Sequence, residues 1–162
     1  MNTALGWLTA FHTLISLVAI VAGLWAIRDL MIGRYRSGAI TTFLWTAVIT
    51  SVTGFFFPFH GVTPAIIVGI IALIVLAWTI VARRSIGRSG FWTAQFPIGI
   101  VISEYFLVFV LVAQIFAKWS VLSSLPPDLR QKLFGATQLV VLIVFIVLAV
   151  RATKSFRVRA IA

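Results

Sequence analysis

The sequence predicts an all-α integral membrane protein: a bundle of five transmembrane helices, N-terminus outside and C-terminus inside. Three observations carry that prediction. The 162 residues are 62% hydrophobic and only 10% charged, and mean hydropathy is +1.15, far from the composition of a soluble domain. Five apolar stretches recur, each close to the ~20 residues that a helix needs to cross a hydrocarbon core of ~30 Å. The basic residues between those stretches divide unequally when sides alternate, which is what the positive-inside rule requires of an oriented protein.

The first span is expected over residues 5–26. The leading MNTALGW has neither a basic region nor a small-residue cleavage site, so this span reads as retained rather than removed as a signal peptide. A short loop carrying Arg28, Asp29, Arg34 and Arg36 follows, with Gly33 as its turn signal. Span two, residues 39–57, ends in the breaker FFFPFHG, where Pro58 and Gly61 stop the helix. Pro64 opens span three, residues 65–82, which holds no ionisable group. The basic connector RRSIGRSG leads to span four, residues 97–117. The next segment, KWSVLSSLPPDLRQKL, is too polar to span and reads as a short surface helix broken by Pro126 and Pro127. Span five, residues 134–150, precedes the basic tail RATKSFRVRAIA, whose spacing of bases would let it continue as a helix into the headgroups.

With five spans, one side holds Arg28, Arg34, Arg36, Arg83, Arg84, Arg88, Arg151, Lys154, Arg157 and Arg159, and the other holds Lys118, Arg130 and Lys132. The first side is therefore the inner one. Trp7 and Trp119 fall near the outer surface and Trp25, Trp78 and Trp92 near the inner one, as indole prefers. Only Trp45 lies deeper.

Composition also excludes chemistry. The chain has no cysteine, which removes disulfides, thiolate metal sites, iron–sulfur clusters and cysteine nucleophiles. The net charge of +10 lies in short loops between apolar spans, so it serves orientation and anionic headgroups, and no nucleic-acid partner is expected. No GxSxG, HExxH or Walker loop occurs, and Asp29 and Asp128 sit on opposite faces, too far apart to act as paired carboxylates.

Two polar constellations remain. Glu104 interrupts the apolar run PIGIVISEYFLVFVLVAQIFA, about 12 Å from its inner end by helical rise. A buried charge costs several kcal/mol, so the acid should be neutral, paired or in contact with water. No basic residue shares its depth. Thr42, Thr46, Thr50 and Thr53 form one stripe on span two; Thr46 is level with Glu104, and Tyr105 is its sequence neighbour. Glu104 is then either a proton carrier or ligand contact, or a carboxyl hydrogen-bonded across helices. The second constellation is His12 on span one and His60 beyond the outer end of span two. Both lie in the outer half, and a pair of imidazoles on neighbouring spans is how a b-type haem is held. The alternative is a polar cluster in which His12 bonds Ser16, Thr13, Gln114 or Gln138. Ser16, Ala19 and Gly23 form a small-residue stripe on span one that lets another helix approach closely. Phe55, Phe56, Phe57 and Phe59 would suit either the apolar end of a quinone or a helix-end plug.

The segments TSVTGFFFPF at residues 50–59 and FLVFVLVAQIFAKWSVLSSLPP at residues 106–127 resemble a family of small bacterial inner-membrane hypothetical proteins. In that family a span-one histidine, a TSVTGFxFPF segment and a VLVxQxFxK segment recur. The resemblance covers most of the chain. It implies a bacterial inner-membrane location and matching positions at His12, the threonine-rich end of span two, Gln114 and Lys118. Where the family places a second histidine after the proline opening span three, this chain has Ile66, and His60 lies six residues earlier.

The expectation for function is an accessory or interaction subunit, with the lipid bilayer and either another membrane protein or a second copy of this chain as partners. The alternatives are an electron-transfer protein holding haem b or a quinone at His12 and His60, and a small proton-linked transporter or channel using Glu104.

Overall fold

The computed structural model describes residues 3–58 and 64–160. The described residues form six helices and no strand: α1 (Thr3–Met31), α2 (Gly38–Gly54), α3 (Pro64–Arg84), α4 (Gly90–Lys118), α5 (Ser120–Ser123) and α6 (Pro127–Ala160). Of these, α1, α3, α4 and α6 are long and apolar enough to cross a membrane, by length and composition. That is the pattern of a multi-pass membrane protein. The apolar α2 has 17 residues, at the short end of what a span requires.

Local chemistry sets the helix starts. Ser37 accepts a hydrogen bond from the Ile40 N–H at 3.2 Å and so caps α2; Ser89 accepts from the Trp92 N–H at 3.4 Å and caps α4. Pro64 and Pro127 stand first in α3 and α6, where a missing N–H costs no intrahelical bond. The turns after α1 and α3 pass through Gly33 and Gly87, at φ of +81° and +87°, a region that a side chain would disfavour.

Several boundaries differ from the sequence expectation. α2 ends at Gly54, three residues short of the expected end of span two. Arg28 and Asp29, expected in a loop, belong to the last turn of α1. Pro97, expected at the start of a span, lies buried inside α4 because the Ser89 cap nucleates that helix earlier; the ring removes the N–H that would bond the Thr93 carbonyl. The segment 118–133 is not a separate surface helix. It holds the single turn α5, and Pro127 then starts α6, which runs unbroken through residues 134–150 and the basic tail as far as Ala160. Its 34 residues reach ~51 Å.

In the bundle, α1 packs chiefly on α2, α4 packs chiefly on α6, and α4 also joins α3 and α1. The loops and tail identify a common end. Gly33 lies against the Arg159 side chain and Gly90 beside the Arg157 guanidinium, Tyr35 meets Phe156 edge to face with centroids 6.1 Å apart, and Arg83 Nη2 donates to Thr41 Oγ1 at 3.1 Å. The connectors and the tail thus gather their arginines at one end of the bundle.

The core follows the same polarity. Buried apolar residues run from the arginine end to mid-helix: Ala19 to Leu30 on α1, Ile40 to Ala47 on α2, Ala72 to Ala82 on α3, Phe96 to Val101 on α4 and Phe145 to Phe156 on α6. In the opposite half, the buried side chains among the described residues are Thr50 and Gln138, both polar.

Candidate functional site

Glu104 sits where the closed half of the bundle ends, with 0% of its surface exposed. α4 turns it toward the seam between α1 and α2. A Cβ built on Gly23 would collide with the Glu104 carboxyl and would stand 2.8 Å from the Phe43 ring. The stripe of Ser16, Ala19 and Gly23 therefore does what small residues do in membrane bundles, and at Gly23 it admits an acid.

The expected threonine partner is engaged elsewhere. Thr46 Oγ1 donates to the Thr42 carbonyl at 2.7 Å, with the Phe43 carbonyl at 3.2 Å, the back-bonding that a helical threonine adopts when nothing better faces it. Neither Glu104 oxygen has a hydrogen-bond partner among the described residues, and the hydroxyls of Thr50 and Ser103 are also buried without one. Ser103 was not singled out in the sequence; its position beside Glu104 was the available signal. Tyr105, one position on, points elsewhere by the ~100° of helical rotation. Its ring lies among Phe106, Phe109 and Phe145, at centroid distances of 5.7, 6.0 and 5.7 Å.

His12 belongs to the open half. Its Nδ1 lies 2.9 Å from Thr53 Oγ1, its ring meets Phe57 edge to face at 5.2 Å, and its edge faces Gly54. Thr53 already donates its hydroxyl proton to the Ile49 carbonyl at 2.8 Å. That leaves the Thr53 oxygen as acceptor and His12 Nδ1–H as donor, so the Nε2 lone pair is the free one. Lys118, at the end of α4, is near enough to act on the imidazole electrostatically.

The other expected partners of His12 do not reach it. Ser16 Oγ donates to the His12 carbonyl at 2.6 Å, not to the ring. Gln138 crosses from α6 to α4 and donates Nε2–H to the Phe109 carbonyl at 3.0 Å, while its Oε1 is buried without a partner. Gln114 is exposed near the end of α4, like Thr13 on α1. His60 lies outside the described residues.

No protein-family model, curated protein or solved structure matches the chain. Among the described residues no three of His, Asp and Glu are grouped to hold a metal ion. The arrangement has two chemical capacities: a closed carboxyl on α4, and an imidazole held through Nδ1 whose Nε2 has no hydrogen-bond partner among the described residues.

Proposed function

We propose that this chain is a non-enzymatic, five-span bundle of the bacterial inner membrane, N-terminus outside and C-terminus inside. It serves as an accessory or interaction subunit: its arginine-end half is the anchor, and its opposite half receives another membrane protein or a second copy of the chain. The one observation that carries this reading is that, among the described residues, the fully buried apolar side chains run only from the arginine end to mid-helix, while those of the opposite half, such as Leu107, Val108 and Val141, are partly buried. A bundle that folded for itself alone would gain by interlocking along its full length, since helix association in lipid rests on side-chain packing. Here the opposite half leaves His12 half-buried and Thr13 and Gln114 exposed, groups that lipid tails cannot satisfy. The end of α6 nearest α5 adds Gly135, against which nothing packs.

Five spans and the stated orientation are supported by the grouping of connectors and tail at one end, together with the excess of arginine there. The 17 residues of α2 cross a ~30 Å core only with flanking residues or local thinning. The closed seam around Glu104 favours a structural role for that acid over a conducting one.

Site-specific photocrosslinking in cells tests the reading. A crosslinker at Thr13 or Gln114 should yield a discrete protein adduct, and one at the lipid-exposed Val81 should not. An adduct of twice the chain mass would identify a second copy as the partner. Lipid adducts alone from both outer positions would refute the proposal. A Soret band in the purified protein would replace it with the electron-transfer reading.

A further inference from the structure

A groove of about 760 Å³ opens between α2 and α3 at the arginine end of the bundle. Its volume lies within the ~300–1,000 Å³ of small-molecule sites. Three guanidiniums, Arg36, Arg83 and Arg84, line it toward the arginine end, and its deeper lining is apolar, reaching Val48 and the exposed Trp45. From Thr41 at the mouth to Val48 on the floor the wall descends ~10 Å by helical rise.

The charges in the mouth are uncompensated. Among the described residues the one ion pair joins Arg28 to Asp29, and no carboxylate lines the groove. Arg83 and Arg36 are close enough for their charges to repel. Both are nonetheless held in place, Arg83 by its hydrogen bond to Thr41 Oγ1 at 3.1 Å and Arg36 over the Tyr35 ring at 5.4 Å. Among the described residues most of the guanidinium N–H groups have no hydrogen-bond partner, and a guanidinium's fork of donors suits phosphate oxygens.

We propose that this groove is a binding site for a phospholipid with an anionic headgroup. The phosphate is held by Arg36, Arg83 and Arg84, and the first part of an acyl chain lies along Trp45 and Val48. Apolar floor and cationic mouth occur at the depths where such a lipid places its tail and its charge, and basic pockets between transmembrane helices bind anionic headgroups for this reason. The site is separate from the open half that the interaction reading concerns.

The test is native mass spectrometry of the full chain in mild detergent, with equimolar phosphatidylglycerol and phosphatidylcholine of matched acyl chains. Phosphatidylglycerol should be retained about tenfold more strongly. The combined variant Arg36→Gln, Arg83→Gln, Arg84→Gln should lose that preference, and Arg88→Gln, Arg151→Gln, Lys154→Gln, which removes the same charge elsewhere, should keep it. Val48→Trp, which fills the floor and leaves every arginine in place, should also lose it, and decides the matter if the triple variant fails to fold. Excess inorganic phosphate should leave retention unchanged. Equal retention of the two lipids, equal loss in both triple variants, or undiminished preference in Val48→Trp would overturn the proposal. Displacement by inorganic phosphate would overturn it too, because the ligand would then be a free anion.

Discussion

At Glu104 one carboxyl is sealed against a glycine and an aromatic ring with no hydrogen-bond partner among the described residues. Burying such a group unsatisfied costs about 1–3 kcal/mol on protein scales. Glu104→Met, similar in length and apolar, should therefore raise stability by about that amount, read as a higher thermal midpoint in detergent. A lower midpoint would show that the acid has a partner in the folded protein. Gly23→Ala should destabilise by about 1–3 kcal/mol, because its methyl group competes with the carboxyl for the same space. In Gly23→Ala with Glu104→Ala the carboxyl no longer competes and only the Phe43 ring, 2.8 Å from the built Cβ, must shift, so the two effects should be less than additive. Strict additivity would mean that the two residues do not share a seam. The sequence marked both residues, but it directed Glu104 to Thr46. A level match in depth says nothing about which way a helix is turned, and Thr46 is satisfied by its own helix.

At the scale of elements, helix existence was legible from apolar runs, and boundaries were not. Pro97, read as the start of a span, lies inside a helix, and Pro127, read as a break, starts one, since a serine cap or a first-turn position outweighs the lost N–H. The α3–α4 seam had no signal in the sequence at all. A Cβ on Gly99 would collide with Thr79 Oγ1 and would lie 3.0 Å from Thr79 Cβ. Gly99→Ala should cost about 1–3 kcal/mol through that overpacking, measured by thermal unfolding. Gly135, inside α6 with nothing within 4 Å of a built Cβ, provides the contrast. Gly135→Ala should leave the monomer unharmed or stabilise it by about 0.5–1 kcal/mol through helix propensity. Equal losses at the two glycines would mean that the α3–α4 seam is not placed as described.

For the whole molecule, the decisive property is that connectors and tail share an end. The chain has no cysteine, so single-cysteine labelling has no background. Ser124→Cys should react with a membrane-impermeant thiol reagent added to intact cells, whereas Arg88→Cys and Val158→Cys should react only after permeabilisation. Reaction of Arg88→Cys and Val158→Cys from opposite sides would remove the five-span arrangement. The contrast between a more fully packed arginine end and a less packed opposite end could not be read from hydropathy, because hydropathy scores single residues and not their packing against other helices.

Hydropathy and the placement of arginines determined, without coordinates, that this chain forms apolar helices with a charged end. Those properties belong to single helices and to the surrounding solvent, so they are written locally. Tertiary structure alone decided that Glu104 meets Gly23 and not a threonine, that His12 meets Thr53, and that arginines 36, 83 and 84 border one groove. Each of these depends on the rotation of one helix about its axis against another. That rotation is set by the summed packing of many small contacts across distant parts of the chain, which no single stretch of sequence contains.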